Sequence, residues 1–370
     1  MKSRLLFTGG HHNSALAVIK WLLRFDSDIK IDWVGDQYPK DGVIYPEYKE
    51  VSDLSIPYHK IVAGKLFRFT NPVYLPSAII SLAKIPLGFL KAIFILLSVR
   101  PSLIVSFGGF IAVPIVVVGK LLGIRSVTHE QTVVVGFANK IIGKFVDKIY
   151  VSWPVEFYKV DSNLKNKMVY TGLPVDFNFL KSNKKIDFHN KNKTIYITGG
   201  KKGSAVLNEA IQLNLGVLSS KFNIIWSCGS AKGDFDFEKI REQKNIYVKE
   251  YFFGSEVGEV FNTCDFVISR SGAHTVYELA MLKKLCILVP IPWSSNGEQQ
   301  KNAELLRDIG LAEIINEDAL LHKDFAEKII KFSDTLEKRV KTSDFSSLDD
   351  IVTEKGQENL GNEIIKILKA

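Results

Sequence analysis

The chain has 370 residues, a length that suits two α/β domains with separate cores better than a single domain. Apolar residues make up 46% and charged residues 24%, which excludes a disordered or low-complexity chain. The net charge of +8 is compatible with nucleic acid, anionic substrates or an anionic membrane surface as partners. Nucleic acid is not expected, because the basic residues form no strip interleaved with aromatic ones.

The chain runs into a strand-like segment at Leu5 and carries three cysteines in or beside apolar runs. No charged leader or cleavage site precedes Leu5, so we expect a protein that is not exported. Cys228, Cys264 and Cys286 are odd in number and lack C-x-x-C spacing, which argues against a disulfide framework and a zinc site. We interpret them as core residues of a protein in a reducing cytosol.

Strand-like and helix-like segments alternate in both halves of the chain, which predicts parallel sheets with helices on both faces. The predicted strands of the first half are residues 5–8, 31–34, 103–107, 126–129 and 148–151. Those of the second half are residues 195–198, 222–227, 246–249, 265–269 and 286–290.

Residues 74–100 form an apolar stretch that Lys84, Lys91 and Arg100 interrupt. The longest uncharged run is much shorter than the ~20 residues of a spanning helix, so we expect no bilayer crossing. The pattern predicts an apolar helix pair with basic edges, which suits an anionic membrane surface. A helix buried between a sheet and its neighbour fits the same pattern, and both interpretations stay open.

A Gly-Pro segment at Gly172 is followed by the polar stretch 181–193, which predicts a domain junction. We therefore predict domains at residues 1–172 and 173–348. Residues 349–370 read as a helix, and we expect its apolar face to pack back on the first domain. That face consists of Ile364, Ile365 and Leu368.

Glycine or small-residue turns follow four of the predicted strands, and glycine there lets the backbone approach a ligand closely. None has the spacing G-x-G-x-x-G or a Walker lysine, so a hydride-transfer enzyme and an NTPase are not favoured. Parallel sheets place such turns at the carboxyl ends of their strands, and we predict that they line one cleft, the active site. The turns are Gly9 and Gly10, Gly108 and Gly109, Gly199 and Gly200, and Ser271, Gly272 and Ala273.

Glu278 follows the last of these turns inside the predicted helix. The turn leaves the first N–H groups of that helix open to a phosphate, and the Glu278 carboxylate suits the diol of a ribose. A merely solvated helix carboxylate is the alternative.

In this order and spacing, the motifs resemble those of the GT-B glycosyltransferases of family 28 that make the second lipid-linked precursor of peptidoglycan. The resemblance covers nearly the whole chain and implies an α/β fold of two doubly wound, Rossmann-like parallel-sheet domains that face a cleft. The matching residues are 8–11, 106–110, 129–131, 199–200 with Gly203, 269–273 with Glu278, and 299–303.

The resemblance implies inverting transfer of N-acetylglucosamine from UDP-N-acetylglucosamine to an N-acetylmuramoyl-peptide on a polyprenyl diphosphate. The first domain is expected to bind this acceptor at the cytoplasmic face of the cell membrane, with residues 74–100 on the lipid as a peripheral contact. The second is expected to bind the UDP-sugar donor. No cofactor is implied beyond that substrate, and no metal-ligand cluster is evident in the sequence.

The same resemblance implies roles for individual residues. His11 is the expected catalytic base, because an imidazole beside a glycine turn can take the proton of the acceptor hydroxyl, and the adjacent His12 competes for that role. The implied donor-binding residues are Gly199, Gly200, Lys201, Lys202, Gly203, Ser271, Gly272, Ala273, Glu278, Gln299 and Gln300. The implied acceptor-binding residues are Gly9, Gly10, Gly108, Gly109, Glu130 and Asn139.

Several positions depart from the family pattern. Asp176 stands where the family has an arginine that reaches the donor phosphate, and we predict that Lys201 or Lys202 supplies this charge. Thr132 and Val135 replace an asparagine and a proline on the acceptor side. Two alternatives stay open: a related GT-B transferase with another lipid-linked acceptor, and a non-catalytic UDP-sugar-binding protein.

Overall fold

The computed structural model describes residues 3–36, 46–64, 75–200, 203–230, 237–342 and 345–370. The strands are β1 (Arg4–Thr8), β2 (Lys30–Asp36), β3 (Tyr58–Ile61), β4 (Leu103–Ser106), β5 (Ser126–Glu130), β6 (Lys148–Val151), β7 (Met168–Tyr170), β8 (Thr194–Thr198), β9 (Asn223–Ser227), β10 (Ile246–Lys249), β11 (Phe266–Ser269), β12 (Cys286–Leu288) and β13 (Ala312–Ile314). The helices are α1 (His12–Phe25), α2 (Pro46–Ser52), α3 (Leu75–Val99), α4 (Ala112–Leu121), α5 (Phe137–Phe145), α6 (Ser162–Lys165), α7 (Ala205–Leu213), α8 (Leu215–Lys221), α9 (Phe237–Arg241), α10 (Ser255–Thr263), α11 (Ala273–Met281), α12 (Glu298–Asp308), α13 (Phe325–Thr342), α14 (Leu348–Ile351) and α15 (Gly356–Lys369). Short 3-10 helices span Val155–Phe157, Phe177–Leu180, Ser295–Gly297 and Glu317–Ala319.

The first compact unit comprises Met1–Val175 and Glu354–Ala370. Its seven strands pair in parallel in the order β3-β2-β1-β4-β5-β6-β7, so the direction of winding reverses between β1 and β4. Phe7 lies opposite Val105 across that reversal, and both are buried. Ligands of doubly wound sheets bind at the carboxyl ends of the strands beside such a reversal.

The helix α15 completes the core of this first unit by packing on α1. Its apolar residues recur at helical spacing, and Ile364 and Ile365 are buried in the cluster that α1 and the sheet form. The two helices approach closely at Gly361, where an added Cβ would lie 2.2 Å from the Trp21 ring. A side chain at that position would push the helices apart.

The second compact unit is Asp176–Thr353. Its six strands pair in parallel in the order β10-β9-β8-β11-β12-β13, with the reversal between β8 and β11. Ile197 of β8 lies opposite Ile268 of β11, and both are buried. The predicted doubly wound parallel sheets are therefore confirmed in both units.

All ten predicted strands are present, with ends within two residues of the prediction. Three further strands, β3, β7 and β13, have only three or four residues and lie at sheet edges. Edge strands are covered on fewer sides, so they lack the continuous apolar run that marks a central parallel strand. The predicted single helix over 349–370 is wrong, because α14 ends at Ile351 and α15 begins at Gly356.

Residues 75–99 form one helix, α3, with Pro86 in its interior, so the predicted helix pair is wrong. Tyr74 lies outside the described residues. By length and composition, Ser81–Val99 is apolar enough to cross a membrane although it contains Lys84 and Lys91, and the absence of a bilayer crossing stays a prediction. The core helix of a soluble protein passes the same test, and α3 does pack on α4 and β3. Lys84 and Lys91 do not interrupt the helix, because long side chains extend from its surface into water.

Candidate functional site

In the first unit, the turns that follow β1 and β4 are bonded to each other at the strand reversal. The Gly10 N–H donates to the Gly108 carbonyl at 3.0 Å, and the Phe107 N–H donates to the Thr8 carbonyl at 2.7 Å. Gly9 has φ +139°, and an added Cβ there would lie 2.7 Å from the Phe107 backbone. Both the backbone angle and the close approach therefore require glycine at position 9.

Two adjacent histidines follow this turn in different surroundings. His11 directly precedes α1, and its side chain is exposed at the surface. The protein around it still removes it partly from bulk water, which lowers the pKa of His11 below its ordinary 6.5, while the Glu130 carboxylate opposes that shift. The His12 Nε2 lies 3.5 Å from the Glu50 Oε2. A neutral imidazole at pH 7 can accept a proton, so His11 is chemically suited to act as a base.

Glu130 is a buried carboxylate at the end of β5 that organises the loop after it. Its Oε1 accepts from the Thr132 N–H and hydroxyl, each at 3.1 Å. Its Oε2 accepts from the Gly136 N–H at 2.8 Å and from the Asn139 Nδ2 at 3.0 Å. A buried carboxylate is stable when several donors surround it. Thr132, at a position where the sequence departs from the family, takes part directly in this network.

Asn139 connects that loop to the glycine turns. Its Oδ1 accepts from the Thr128 hydroxyl at 3.0 Å, and an added Cβ at Gly108 would lie 2.9 Å from its Nδ2. An added Cβ at Gly109 would lie 2.9 Å from the Gly10 nitrogen. The structure thus brings the predicted acceptor residues together at one edge of the sheet: Gly9, Gly10, Gly108, Gly109, Glu130 and Asn139.

Gln131 follows Glu130 and is 1% exposed. Neither its Oε1 nor its Nε2 has a hydrogen-bond partner within the parts of the chain that the structure describes. A buried amide without partners costs free energy, so this position is strained in the absence of a ligand or water. The sequence motif contained Gln131, but the residue type alone gave it no role.

In the second unit, the turn after β8 is built from three glycines. The Gly203 N–H donates to the Gly200 carbonyl at 2.9 Å. An added Cβ at Gly203 would lie 2.3 Å from the Cys228 carbonyl oxygen, and one at Gly199 would lie 2.4 Å from the Ser204 nitrogen. No atom of the described residues lies within 4 Å of an added Cβ at Gly200, and the Gly200 N–H donates to the Thr198 hydroxyl at 3.1 Å. Gly199 and Gly203 are therefore needed for packing, whereas Gly200 is not crowded by described residues.

The turn after β11 is fixed to the start of α12. The Ser271 hydroxyl donates to the Gln299 carbonyl at 2.8 Å, and the Asn302 Nδ2 donates to the Ser271 carbonyl at 3.1 Å. The Gln299 Oε1 accepts from a backbone N–H of the loop after β12, and the Gln300 Nε2 donates to the Glu304 Oε1, both at 3.1 Å. The two glutamines predicted to contact a sugar therefore also hold this loop and helix.

Gly272 directly precedes α11, and within the described part of the chain no atom lies within 4 Å of an added Cβ there. A helix amino terminus with open space in front of it attracts an anion. Glu278 lies further along the same helix, and burial raises the pKa of its carboxyl to about 8, although part of the side chain reaches the surface. A carboxyl so perturbed is typical of a functional site.

The predicted substitutes for the family arginine, Lys201 and Lys202, lie outside the described residues. Asp176, which stands in place of that arginine, accepts from the Asn178 N–H at 3.1 Å and caps a 3-10 helix. Within the described ranges, no group of three or more His, Cys, Asp or Glu side chains is arranged to hold a metal ion.

Solved structures share this architecture. MurG from Acinetobacter baumannii matches 98% of this chain and 99% of its own with a TM-score of 0.72 at 21% identity. The UDP-GlcNAc 2-epimerase from Neisseria meningitidis, bound to UDP-GlcNAc, matches 100% of this chain and 99% of its own with a TM-score of 0.59 at 11% identity. At these identities the likeness establishes the fold, which is the two-domain GT-B architecture predicted from the motifs.

Matches in sequence identify the family within this fold. Residues 8–151 match the glycosyltransferase family 28 N-terminal domain, and residues 194–353 match the glycosyltransferase family 28 C-terminal domain. A Clostridium perfringens protein named UDP-N-acetylglucosamine--N-acetylmuramyl-(pentapeptide) pyrophosphoryl-undecaprenol N-acetylglucosamine transferase is 30% identical over 100% of this chain and 98% of its own length. A protein of the same name from Borreliella burgdorferi is 32% identical over 88% of this chain and 85% of its own. The chain belongs to glycosyltransferase family 28, as the resemblance of its motifs implied.

Proposed function

We propose that the protein transfers N-acetylglucosamine from UDP-N-acetylglucosamine to N-acetylmuramyl-pentapeptide pyrophosphoryl-undecaprenol, the reaction that names its Clostridium perfringens relative. The alignment with that relative over 100% of this chain and 98% of the other carries the proposal. The turns at the strand reversal of the second unit support it, because they precede the amino termini of α7 and α11 and the donor contains a diphosphate.

The first unit, with the predicted domain 1–172, binds the acceptor and supplies the base. His11 takes the proton of the acceptor hydroxyl as that oxygen bonds to the anomeric carbon, and the bond from this carbon to UDP breaks on the opposite face. Its lowered pKa supports this role, because the imidazole is neutral at pH 7. The interlocked turns hold the base, while Glu130 and Asn139 shape the loop that contacts the acceptor.

The second unit, with the predicted domain 173–348, binds the donor. The amino terminus of α7, at the turn with Gly199, Gly200 and Gly203, and that of α11, at the turn with Ser271, Gly272 and Ala273, bind the diphosphate of UDP. These helix amino termini stabilise the negative charge on departing UDP without a protein-bound metal. Glu278 accepts from the ribose hydroxyls, Gln299 and Gln300 contact the N-acetylglucosamine, and Lys201 or Lys202 adds a point charge.

The helix α3 carries a peripheral contact with the cytoplasmic face of the membrane. Ala92 and Leu96 face the protein and are buried, whereas Lys84 and Lys91 are exposed. The opposite side presents large apolar side chains that no described residue covers, and an anionic membrane fits such an apolar face with basic edges. These apolar side chains are Leu82, Leu87, Leu90, Phe94 and Leu97.

Sedimentation with anionic lipid vesicles tests this contact. The double substitution Phe94→Ser and Leu97→Ser is expected to lower the bound fraction severalfold, because each residue loses about 2 kcal/mol of apolar burial. Leu213→Ser is the matched control, since Leu213 is a 70% exposed leucine in the second unit. Equal binding by the double variant and the native protein contradicts the membrane contact.

Transfer of radiolabelled N-acetylglucosamine from UDP-N-acetylglucosamine to a short-chain analogue of the lipid-linked acceptor tests the reaction. His11→Ala is expected to lower kcat by about 10²-fold or more, while the Kd for UDP stays within about twofold, because a base acts in the chemical step. His12→Ala is the matched control and is expected to keep most of the rate. Native kcat should fall below pH 6.5, as His11 becomes protonated.

The outcomes separate the remaining alternatives. If the native protein binds UDP but forms no product with this acceptor, a related transferase with another lipid-linked acceptor replaces the proposal. If no acceptor gives product, the protein is a UDP-sugar-binding protein. If His12→Ala and not His11→Ala abolishes turnover, the assignment of the base is wrong.

A further inference from the structure

One buried guanidinium in the second unit, after β11, contacts residues that follow three other strands. Arg270 comes directly after β11 and is 7% exposed. Its Nε and Nη2 donate to the Ser204 hydroxyl, after β8, at 3.1 and 2.8 Å. Its Nη1 donates to the Val289 carbonyl, after β12, at 3.3 Å, and its Nη2 is ion-paired with Glu317, after β13.

Ser204 gives this contact its importance. Its hydroxyl also accepts from the Leu207 N–H at 3.4 Å, so Ser204 is the N-cap of α7. It directly follows Gly203, whose close approach to Cys228 fixes the end of the glycine turn. Arg270 therefore ties the amino terminus of α7 to its own backbone, which leads into α11. The two helix termini assigned to the diphosphate are linked through a single side chain.

Arg270 is poorly suited to bind phosphate itself. Its neighbour Glu317 compensates the positive charge, and the guanidinium is buried among protein acceptors. A buried cation whose charge a glutamate compensates offers a phosphate little further attraction, whereas its planar, multi-pronged hydrogen bonding fixes geometry well. Its contacts suit a role in positioning other groups.

On the basis of the proposed UDP-sugar binding, we infer that Arg270 is a positioning residue for the nucleoside diphosphate. Through Ser204, it holds the amino termini of α7 and α11 at the spacing at which their N–H groups bind the diphosphate together. Lysine cannot replace it, because a single ammonium cannot reach Ser204, Val289 and Glu317 in the directions that the guanidinium fork provides.

Calorimetry with UDP tests this role in the full-length protein. Arg270→Lys is expected to raise the Kd for UDP about tenfold, the effect of one or two charge-assisted hydrogen bonds. In the transfer assay the KM for the UDP-sugar rises and kcat falls, because the same termini stabilise the charge on departing UDP, while the acceptor KM stays within about twofold. Ser204→Ala is expected to weaken UDP binding as well. The double variant should be no weaker than the worse single variant, because Arg270 acts through Ser204.

Arg339→Lys is the control, because Arg339 also pairs with a glutamate, Glu313 of β13, but belongs to α13. It is expected to lower the Tm without changing the Kd for UDP. If Arg270→Lys lowers the Tm equally and leaves the Kd unchanged, Arg270 is only structural and the inference is overturned. Additive effects of the Arg270 and Ser204 substitutions also overturn it. If the native protein binds no UDP, the proposed function fails first, and the inference fails with it.

Discussion

The two strand reversals share one topology but differ in how their turns are packed. In the first unit, the turns after β1 and β4 are bonded together, and Gly9, Gly108 and Gly109 each lie against backbone or against Asn139. In the second unit, no described residue crowds an added Cβ at Gly200 or Gly272. The same sheet order therefore gives a tightly packed pair of turns in one unit and less crowded turns before helix amino termini in the other. In the proposed reaction, the first arrangement suits the base and the second suits the diphosphate.

The largest expected contrast comes from adding one methyl group at each reversal. Gly9→Ala should lower the free energy of unfolding by about 3 kcal/mol or more, because it combines a strained φ with a clash against the Phe107 backbone. Gly200→Ala has a positive φ but no clash, so about 1 kcal/mol is expected. Urea denaturation measures both. Equal losses would show that the two turns are packed alike.

The next effect concerns the buried carboxylate that supports the stiff turn. Glu130→Gln should cost about 2 kcal/mol, because one amide end then presents a donor to the donors of the Thr132 or Gly136 backbone. Glu363→Gln is the control: Glu363 pairs with Lys148 near the surface, and a change of about 0.5 kcal/mol is expected. UDP binding should be unchanged in both variants. If urea denaturation gives Glu130→Gln the same free energy of unfolding as the native protein, this carboxylate does not support the turn.

In the second unit, substitution of Glu278 is expected to stabilise the protein, in contrast to the two preceding sets of variants. The pKa of Glu278 is raised from 4.5 to about 8, so folding is favoured by its proton below pH 4.5, and this contribution is lost as pH rises through about 8. Glu278→Gln should therefore stabilise the protein by about 1 kcal/mol at pH 8, after allowance for partial exposure. Below pH 4.5 the gain should vanish. Thermal unfolding at pH 8 and pH 4 measures it.

Calorimetry on the same variant should show weaker binding of UDP, since an amide replaces the acceptor of the ribose hydroxyls. A gain in stability together with a loss of UDP affinity is expected when a residue serves a functional site at the expense of stability. Unchanged UDP binding would leave Glu278 as a buried helix residue without a role in the donor site.

The smallest change in stability is expected at Gly272. Its φ of −65° suits any residue, and an added Cβ meets no atom, so Gly272→Ala should alter the free energy of unfolding by only about 0.5 kcal/mol. The added methyl nevertheless stands at the proposed diphosphate site, and the Kd for UDP should rise severalfold. A variant with native UDP affinity would place the diphosphate elsewhere.

The central strands and the glycine turns were predictable from the sequence, because a buried parallel strand needs a continuous apolar run and a tight turn needs glycine. The partners of individual polar side chains were not. Residue type alone does not distinguish His11 from His12, and their different surroundings, with Glu130 acting on His11 and Glu50 on His12, appear only in the fold. Arg270 was read as part of a motif, but its links to Ser204 and Glu317 depend on strands distant in sequence.

The continuous helix α3 was predicted wrongly as a helix pair for a similar reason. Lys84 and Lys91 interrupt an apolar run along the sequence, but a helix places them among its exposed residues and continues. The sequence left its two possible environments as alternatives. In the folded protein, one side of α3 is buried and the other is exposed.

The position of α15 at the end of the chain affects the order in which the two units fold during translation. Because Glu354–Ala370 belongs with Met1–Val175, the second unit is inserted within the first. The ribosome synthesises all of Asp176–Thr353 before α15. The surface of α1 around Trp21 therefore stays exposed to solvent until α15 emerges. The second unit is contiguous and can fold as it is made, whereas the first closes its core later. The unit that is translated first is completed last, and apolar surface exposed in the interval is prone to aggregation.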